Sequence, residues 1–281
     1  MIIWLASYPK SGNTWLRALL SSYLYSKDGK FDFNLLNKID SFPSESFFKN
    51  YPDKFENPED TTKYWLKEQE KINQSKKITF FKTHNALCKI NGNRFTNSEN
   101  TLGAIYIIRD PRNVITSLSH HYQISKEDAL EFMLDEKRGI VSKVDNRYIG
   151  FQPLFSWVLN QKSWVENKNF PVLTIKYEDL QSETFTTFKK VLDFIHKLTN
   201  SKNSIDREKA KKSIKNCDFE NLKKLEQEKG FAEAITKKGS NEKLTFFNLG
   251  KNNNYKNLLD PILLTKMNDL FQNELVKYNY E

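Results

Sequence analysis

The chain has 281 residues, of which 38% are hydrophobic, and it carries a formal net charge of +9. This length and apolar content allow a sizeable core within one α/β domain, and the positive charge favours anionic ligands in general. The two cysteines, Cys88 and Cys217, exclude a disulfide framework or a cysteine metal cluster, and no apolar run is long enough to predict a membrane span.

The first predicted element is a buried strand over residues 2–7, which turns sharply into a helix over residues 14–25. The free backbone N–H groups and the dipole at such a helix N-terminus form an anion site, and Lys10 adds a full positive charge. Because Lys10 precedes Gly12 instead of following it, the turn is not the common Walker loop. The turn also carries polar side chains that can donate hydrogen bonds: Ser11, Asn13 and Thr14. Taken alone, it also fits an ordinary corner with an exposed lysine.

A second segment has the same pattern, with a strand over residues 104–108 followed by a helix over residues 112–122. Pro111 suits the first helical position. Arg109 lies at the carboxyl end of the strand, where open α/β sheets bind their ligands. Two basic strand ends indicate a ligand with two phosphates.

The rest of the chain alternates between strand and helix patterns, which predicts a mainly parallel sheet with helices on both faces. The other predicted strands are 78–82 and 172–177. The other predicted helices are 127–137, 151–167, 183–197, 206–216, 219–228 and 261–277.

The segment 27–75 is the least regular part of the chain. It contains six phenylalanines that fit either of two interpretations, loops lining an acceptor pocket or an insertion packed on the core: Phe31, Phe33, Phe42, Phe47, Phe48 and Phe55. The polar segment 229–245 is interpreted as a loop that serves as a lid.

The chain resembles the sulfotransferases that use 3′-phosphoadenosine 5′-phosphosulfate (PAPS). The segment Y-P-K-S-G-N-T-W at residues 8–15 resembles the 5′-phosphosulfate loop of this family, and I-R-D-P-R-N-V-I-T-S at residues 108–117 resembles its 3′-phosphate motif. The segment F-K-T-H at residues 81–84 resembles the segment that carries the catalytic base. Three more segments follow in family order: Y-E-D-L at 177–180, F-E-N-L at 219–222 and G-K-N-N-N-Y-K-N at 250–257.

The resemblance implies one domain over residues 1–281, with a three-layer α/β fold like that of the P-loop-containing nucleotide hydrolases. Within it, residues 229–260 would form the lid and the C-terminal cofactor segment. The implied reaction moves a sulfuryl group from PAPS to a hydroxyl or amine. Three residues would act in the transfer: His84 as general base, Lys10 as stabiliser of the leaving phosphate, and Lys82 as a contact of the sulfuryl group.

The family motifs also imply which residues hold the nucleotide. Arg109 would grip the 3′-phosphate with help from Ser117, and the residues around adenine would be Trp15, Tyr177 and Phe219. The family usually has Arg-Lys before the glycine at position 250. Here Asn248 and Leu249 stand in those places. Three interpretations stay open: Lys251, next to Gly250, is the substitute cation, the segment binds the 3′-phosphate more weakly, or the correspondence of the residues shifts at this point.

Cations and N–H groups can bind the phosphates without a metal, so no metal is expected. The expected acceptor is a small molecule, a carbohydrate or a lipid-linked compound, and no nucleic acid is expected. A cytoplasmic location is expected because the membrane-anchored members of the family carry a membrane span, and a homo-oligomer is allowed. Two alternatives stay open, a small-molecule kinase of related fold and a relative that binds nucleotides or polyanions without catalysis.

Overall fold

In a computed structural model that describes residues 1–280, the strands form one five-stranded parallel sheet and two separate antiparallel pairs. The strands are β1 (Ile2–Ala6), β2 (Asp40–Ser41), β3 (Thr79–Thr83), β4 (Lys89–Ile90), β5 (Asn93–Arg94), β6 (Thr101–Ile108), β7 (Gly139–Val144), β8 (Arg147–Pro153) and β9 (Val172–Lys176). The antiparallel pairs are β4 with β5 and β7 with β8.

Helices connect these strands and cover them. They are α1 (Asn13–Tyr25), α2 (Glu45–Phe48), α3 (Trp65–Asn73), α4 (Pro111–Tyr122), α5 (Lys126–Leu134), α6 (Trp157–Val165), α7 (Tyr177–Ser182), α8 (Thr184–Thr199), α9 (Arg207–Asn216), α10 (Phe219–Lys229), α11 (Tyr255–Leu258), α12 (Pro261–Leu270) and α13 (Gln272–Lys277). Short 3₁₀ helices occur at Phe33–Lys38, Pro58–Tyr64 and Gly250–Asn252. Within residues 1–280, none of the helices is both long enough and apolar enough to cross a bilayer.

The sheet has the strand order β2-β3-β1-β6-β9, and every pairing in it is parallel. Ala6 at the end of β1 pairs with Thr83 at the end of β3, and Ile108 at the end of β6 pairs with Lys176 at the end of β9. The residues that follow these strands therefore lie side by side at one edge of the sheet, where ligands of open α/β sheets bind.

Both faces of the sheet are buried at its centre, which is why the central strands β1 and β6 are nearly continuous apolar runs without polar alternation. Ile2, Trp4 and Ala6 face one core, together with side chains from α4, α5, α6 and α12. Ile3 and Leu5 face the other core, which α1 and α8 complete. The predicted three-layer α/β architecture is confirmed.

The predicted strands and most predicted helices are confirmed to within a few residues. Two helix predictions are wrong in part. The helix predicted over 151–167 begins only at Trp157, because residues 151–153 belong to β8. The helix predicted over 261–277 is interrupted at Phe271, whose buried ring packs against Trp157 at a centroid distance of 5.5 Å.

The sequence patterns did not predict two features. One is the antiparallel hairpin of β7 and β8. The other is the order within 27–75, where β2 joins the main sheet and α3 forms. Three of the phenylalanines in this segment are fully buried in the first core: Phe42, Phe48 and Phe55.

Arg112, in the first turn of α4, ties the C-terminal region to the sheet. Its guanidinium donates to both oxygens of Asp110, with Nη2 2.8 Å from Oδ2, and to the Asn268 side chain and the Tyr280 carbonyl. The side chains of Arg112 and Asp110 are 7% and 5% exposed. Removing one member of such a buried pair leaves the other charge without compensation.

Arg112→Ala should therefore lower the free energy of unfolding by about 3–5 kcal/mol, measured by urea denaturation. The matched control is Lys189→Ala, which removes an ion pair with Asp193 whose two side chains are 43% and 52% exposed. That control should cost less than about 1 kcal/mol. Equal losses in the two variants would contradict the role assigned to Arg112.

Candidate active site

A cavity of about 700 Å³ opens where β3, β1, β6 and β9 end. Nearly all residues that the sequence singled out line it: Lys10, Gly12, Asn13, Thr14, Trp15, Lys82, His84, Arg109, Ser117, Tyr177, Phe219, Gly250 and Lys251. Ser11 is the exception, since its side chain is buried in the turn and does not line the cavity. Segments that lie as far apart in the chain as residues 10 and 251 thus meet at one place.

The turn after β1 has an unusual backbone that brings it close to its neighbours. Lys10 and Gly12 have φ angles of 65° and 100°, in the left-handed region that favours glycine. A Cβ atom at Gly12 would lie 2.4 Å from Cδ2 of Tyr177, so only glycine fits there. The Asn13 amide supports the turn from below by donating to the Leu5 carbonyl at 2.9 Å.

Arg109 connects the second phosphate motif to this turn. Its Nη1 donates to the carbonyl of Lys10 at 3.1 Å, and its guanidinium carbon lies 4.1 Å from the centre of the Tyr177 ring. Arg109 is buried, and its Nε has no hydrogen-bond partner among residues 1–280. A buried cation with donor capacity to spare is suited to an anionic ligand.

The ammonium group of Lys10 is surrounded by other cations. Burial, together with the charges of Lys82 and Arg109, lowers the pKa of Lys10 to about 7. The ammonium lies 4.0 Å from the centre of the Phe246 ring, a favourable contact for a cation. The electrostatic repulsion among Lys10, Lys82 and Arg109 decreases when an anion binds between them.

His84 follows β3 directly, and its ring is held in one orientation. Nδ1 lies 2.9 Å from the Ser7 carbonyl oxygen, so Nδ1 carries the proton and Nε2 keeps its lone pair. The backbone N–H of His84 donates to the Gln152 side chain on β8. Burial, together with the charge of Lys82, lowers the pKa of His84 to about 3, so the ring is neutral at pH 7.

Aromatic side chains form the opposite end of the cavity. Trp15 packs edge-on against Tyr177 with ring centroids 5.7 Å apart, and its Nε1 donates to the Cys217 carbonyl. A Cβ atom at Gly250 would lie 2.6 Å from the Phe219 ring, so the chain passes close over that ring only because residue 250 is glycine. Flat apolar surfaces of this kind suit a stacked base.

The C-terminal segment is fixed to the cavity by polar contacts. Glu226 on α10 accepts the backbone N–H groups of Phe246 and Phe247 at 2.7 and 2.9 Å. The Asn253 amide donates to the backbone carbonyl of Asn113 on α4, near Ser117. This anchoring brings Asn248, Leu249 and Lys251 to the cavity wall, with Lys251 exposed.

Arg17 and Glu233, which form an ion pair at the site, were not singled out from the sequence. Arg17 lies one helical turn beyond Thr14 on α1 and is 7% exposed. Its Nη1 is 2.5 Å from Oε1 of Glu233, which comes from the polar segment 229–245. The helical spacing of Arg17 from Thr14 was a usable signal. Nothing in its own sequence distinguishes Glu233 from other acidic residues.

The donor set of this site fits the phosphates of a nucleotide. It combines the N-terminus of α1, the cations Lys10, Lys82 and Arg109, and the hydroxyl of Thr14, and it faces an aromatic wall. Four buried polar atoms at the site lack a hydrogen-bond partner among residues 1–280: Ser11 Oγ, Asn13 Oδ1, Arg17 Nε and Arg109 Nε. In the same residues, no group of three or more His, Cys, Asp or Glu side chains is arranged to hold a metal ion.

Comparison with known sequences gives one consistent result. The profile of the sulfotransferase domain matches residues 2–279. Cytosolic sulfotransferase 14 of Arabidopsis thaliana is 26% identical over 96% of this chain and 74% of its own length. Flavonol 3-sulfotransferase of Flaveria bidentis is also 26% identical, over 97% of this chain and 81% of its own. Luciferin sulfotransferase of Photinus pyralis is 24% identical over 94% and 69%.

Solved structures share the fold. A mouse sulfotransferase complexed with PAP superimposes with a TM-score of 0.60 and 20% identity, over 98% of this chain and 84% of its own. Retinol dehydratase in complex with androsterone and inactive cofactor PAP also gives a TM-score of 0.60, with 16% identity over 98% and 80%.

Proposed function

This chain belongs to the sulfotransferase family, and from its site we propose that it transfers a sulfuryl group from PAPS to a hydroxyl or amine of an acceptor. One observation carries the proposal. Lys10, His84, Arg109 and Tyr177 follow the ends of four neighbouring parallel strands and line one cavity. A base, cations and an aromatic ring are thereby placed within reach of a single nucleotide.

The residues of the site divide between the two ends of the nucleotide. The N-terminus of α1 with Lys10, Thr14 and Lys82 would hold the 5′-phosphosulfate, and Arg109 with Ser117 and Lys251 would hold the 3′-phosphate. Adenine would lie among Trp15, Tyr177 and Phe219. The relatives whose structures are known with PAP support this reading of the fold.

Arg109 and Lys251 would supply the positive charge that the Arg-Lys pair usually supplies in the family. Asn248 and Leu249 reach the cavity wall but bring no charge. Lys251 lies one residue beyond Gly250 and reaches the same wall. The cation therefore lies two or three positions further along the chain, in a tight 3₁₀ turn, and the 3′-phosphate site would keep one lysine besides Arg109.

PAPS supplies the sulfuryl group, and the protein supplies a base and a stabiliser for the leaving group. The lone pair on Nε2 of His84 takes the proton from the acceptor hydroxyl as the acceptor attacks sulfur. Lys10 donates to the phosphate oxygen on which negative charge grows as its bond to sulfur breaks. Negative charge bound beside Lys82 raises the pKa of His84 again, which makes the ring a more effective base.

The acceptor would approach from the side of His84. The wall there includes Ser41, His121, Tyr122 and Ile140, which offer both apolar and polar contacts. The sulfotransferases named for flavonol and luciferin favour a small-molecule acceptor for this chain too. The relatives named cytosolic sulfotransferases support a cytoplasmic location.

The role of His84 is tested by His84→Asn, which can still donate to the Ser7 carbonyl but has no base. Transfer from PAPS to any accepted hydroxyl should fall by about 10²–10⁴-fold, the usual contribution of a positioned base. Affinity for 3′-phosphoadenosine 5′-phosphate (PAP), measured calorimetrically, should change little. Near-normal turnover in the variant would exclude His84 as the base. A wild-type chain that binds ATP with Mg²⁺ in preference to PAP would exclude the proposed function itself.

The role of Arg109 is tested by Arg109→Gln and two ligands. PAP affinity should fall by about tenfold or more, because a hydrogen bond to a charged group is worth at least that factor. Affinity for adenosine 5′-phosphosulfate, which lacks the 3′-phosphate, should fall much less. Arg94→Gln, which alters an exposed arginine on β5, is the control and should leave both affinities unchanged. Equal losses for the two ligands in Arg109→Gln would show that Arg109 does not select the 3′-phosphate.

The lowered pKa of Lys10 predicts a proton-linked affinity. At pH 8 most Lys10 side chains are neutral, because burial, Lys82 and Arg109 lower the pKa to about 7. A bound phosphate raises that pKa, so that PAP binding takes up a proton and affinity falls as pH rises above 7. Calorimetry at pH 8 in buffers of different ionisation enthalpy should detect up to one proton per PAP. Lys10→Arg stays charged and should remove the uptake. A wild-type enthalpy that is the same in all buffers would contradict the prediction.

A further inference from the structure

The carboxylate of Glu233 occupies a cluster of donors at the 5′ end of the proposed nucleotide site. It accepts hydrogen bonds from Thr14 Oγ1 at 3.2 Å, from Arg17 Nη1 at 2.5 Å and from Lys82 Nζ at 3.2 Å. Two of these donors, Thr14 and Lys82, are residues that the proposed function assigns to the phosphosulfate. Thr14 and Lys82 are therefore donors for two anions, the Glu233 carboxylate in this structure and the phosphosulfate in the proposed complex.

The negative charge of Glu233 offsets the positive charges of the buried Arg17 and Lys82 side chains. Burial alone would raise the pKa of the carboxyl, but the charges of Lys82 and Arg17 lower it further, so that it stays ionised. The side chain of Arg17 is 8% exposed and that of Lys82 is 13% exposed. Cations this deeply buried are costly without a counter-charge, and Glu233 is the carboxylate that contacts both.

The segment that carries Glu233 is mostly exposed, and contacts on either side of Glu233 hold it in place: the buried Phe231 ring before it, and hydrogen bonds of Thr236 and Lys238 with Gln123 after it. Residues 230–249, which we call the strap, join α10 to the 3₁₀ turn at Gly250–Asn252. Between residues 232 and 245, only Ala234 is buried. The strap end at Phe246 is held separately by Glu226. Because these contacts hold the strap independently of Glu233, its side chain can leave the cations without releasing the C-terminal cofactor segment.

Arg17 is the cation that this exchange would uncover. It does not line the cavity, whereas Glu233 does, and Nη1 of Arg17 points to Glu233. Its Nε lacks a hydrogen-bond partner among residues 1–280, so the guanidinium has spare donor capacity on the same buried side. A phosphate or sulfuryl oxygen in place of the carboxylate would meet Arg17 directly.

We propose that Thr14, Arg17 and Lys82 form one anion subsite, for which the Glu233 carboxylate and the 5′-phosphosulfate of PAPS compete. The proposal rests on the function proposed above. Glu233 keeps the cations paired, the incoming donor displaces it, and Arg17 then becomes a third cation on the phosphosulfate. The Glu233 carboxylate and the phosphosulfate cannot both occupy this subsite, because like charges at contact distance in a buried site repel strongly.

Glu233→Gln tests the competition. The variant should bind PAP about tenfold tighter or better by calorimetry, because it loses a charged hydrogen-bonding competitor. Adenosine 3′-phosphate, which lacks the 5′-phosphate, should bind both proteins alike. Glu242→Gln removes an exposed carboxylate from the same strap and is the matched control, with no change for either ligand. PAP affinity that is unchanged or weaker in Glu233→Gln overturns the proposal.

Arg17→Gln tests whether Arg17 becomes a ligand of the phosphosulfate. If Arg17 served only to hold Glu233, its loss would release the carboxylate and tighten PAP binding, as in Glu233→Gln. The proposal requires the opposite result, weaker PAP binding in Arg17→Gln, with partial recovery in Arg17→Lys. The loss should persist in the Glu233→Gln background. Tighter binding in Arg17→Gln would show that Arg17 is not a ligand of the phosphosulfate.

Two measurements keep the test independent of folding and of the proposed function. Inorganic phosphate should raise the Tm of Glu233→Gln more than that of the wild type, since it replaces the missing counter-charge. If Glu233→Gln does not fold, Glu233→Asp keeps the charge with a shorter reach and should bind PAP with raised affinity; unchanged affinity there overturns the competition. A folded wild type that does not bind PAP refutes the proposed function, whereas equal PAP binding by wild type and Glu233→Gln refutes only the competition.

Discussion

Repulsion among cations gathered at one sheet edge is the constraint around which this site is organised. Parallel pairing brings Lys10, Lys82 and Arg109 to neighbouring strand ends, and α1 adds Arg17 beside them. Burial, together with the charges of Lys82 and Arg109, lowers the pKa of Lys10 to about 7. An anion that enters meets cations already in position, and the Glu233 carboxylate is the group that it would have to displace. The single carboxylate of Glu233 offsets part of this repulsion.

The fold was predictable where local pattern and tertiary structure agree. Each main strand is a continuous apolar run that ends in a charged turn, so it could be recognised without knowing its partners. The hairpin over residues 139–153 could not, because polar residues and glycine interrupt the apolar residues of both strands, so that neither strand is a continuous apolar run. Its turn, Asp145 and Asn146 with φ angles of 47° and 64°, was the one local signal. The true start of the next helix is marked by Ser156, whose Oγ accepts the N–H of Leu159.

The site was predictable to the extent that motifs mark strand ends. Such motifs indicate which residues follow a strand, but not which side chains arrive from elsewhere. Glu233 meets Thr14 across 219 residues of chain, and the strap contains a second glutamate, Glu242, that stays exposed. Only the folded path of the strap decides between the two. The placement of Ser11 also depends on the folded backbone, because the side chain between the left-handed residues Lys10 and Gly12 is buried while its neighbours line the cavity.

The neutral state of His84, the clustered cations and the Glu233 carboxylate depend on one another through the electrostatic potential of the site. Burial and the charge of Lys82 lower the pKa of His84 to about 3, which keeps Nε2 unprotonated but makes it a weak base. Exchange of the Glu233 carboxylate for a ligand of higher negative charge would raise the pKa of His84 and the pKa of Lys10 together, because both groups respond to the same electrostatic potential. Ligand charge, site protonation and strap position are then linked, so a more stable resting pair with Glu233 necessarily means weaker binding of the donor.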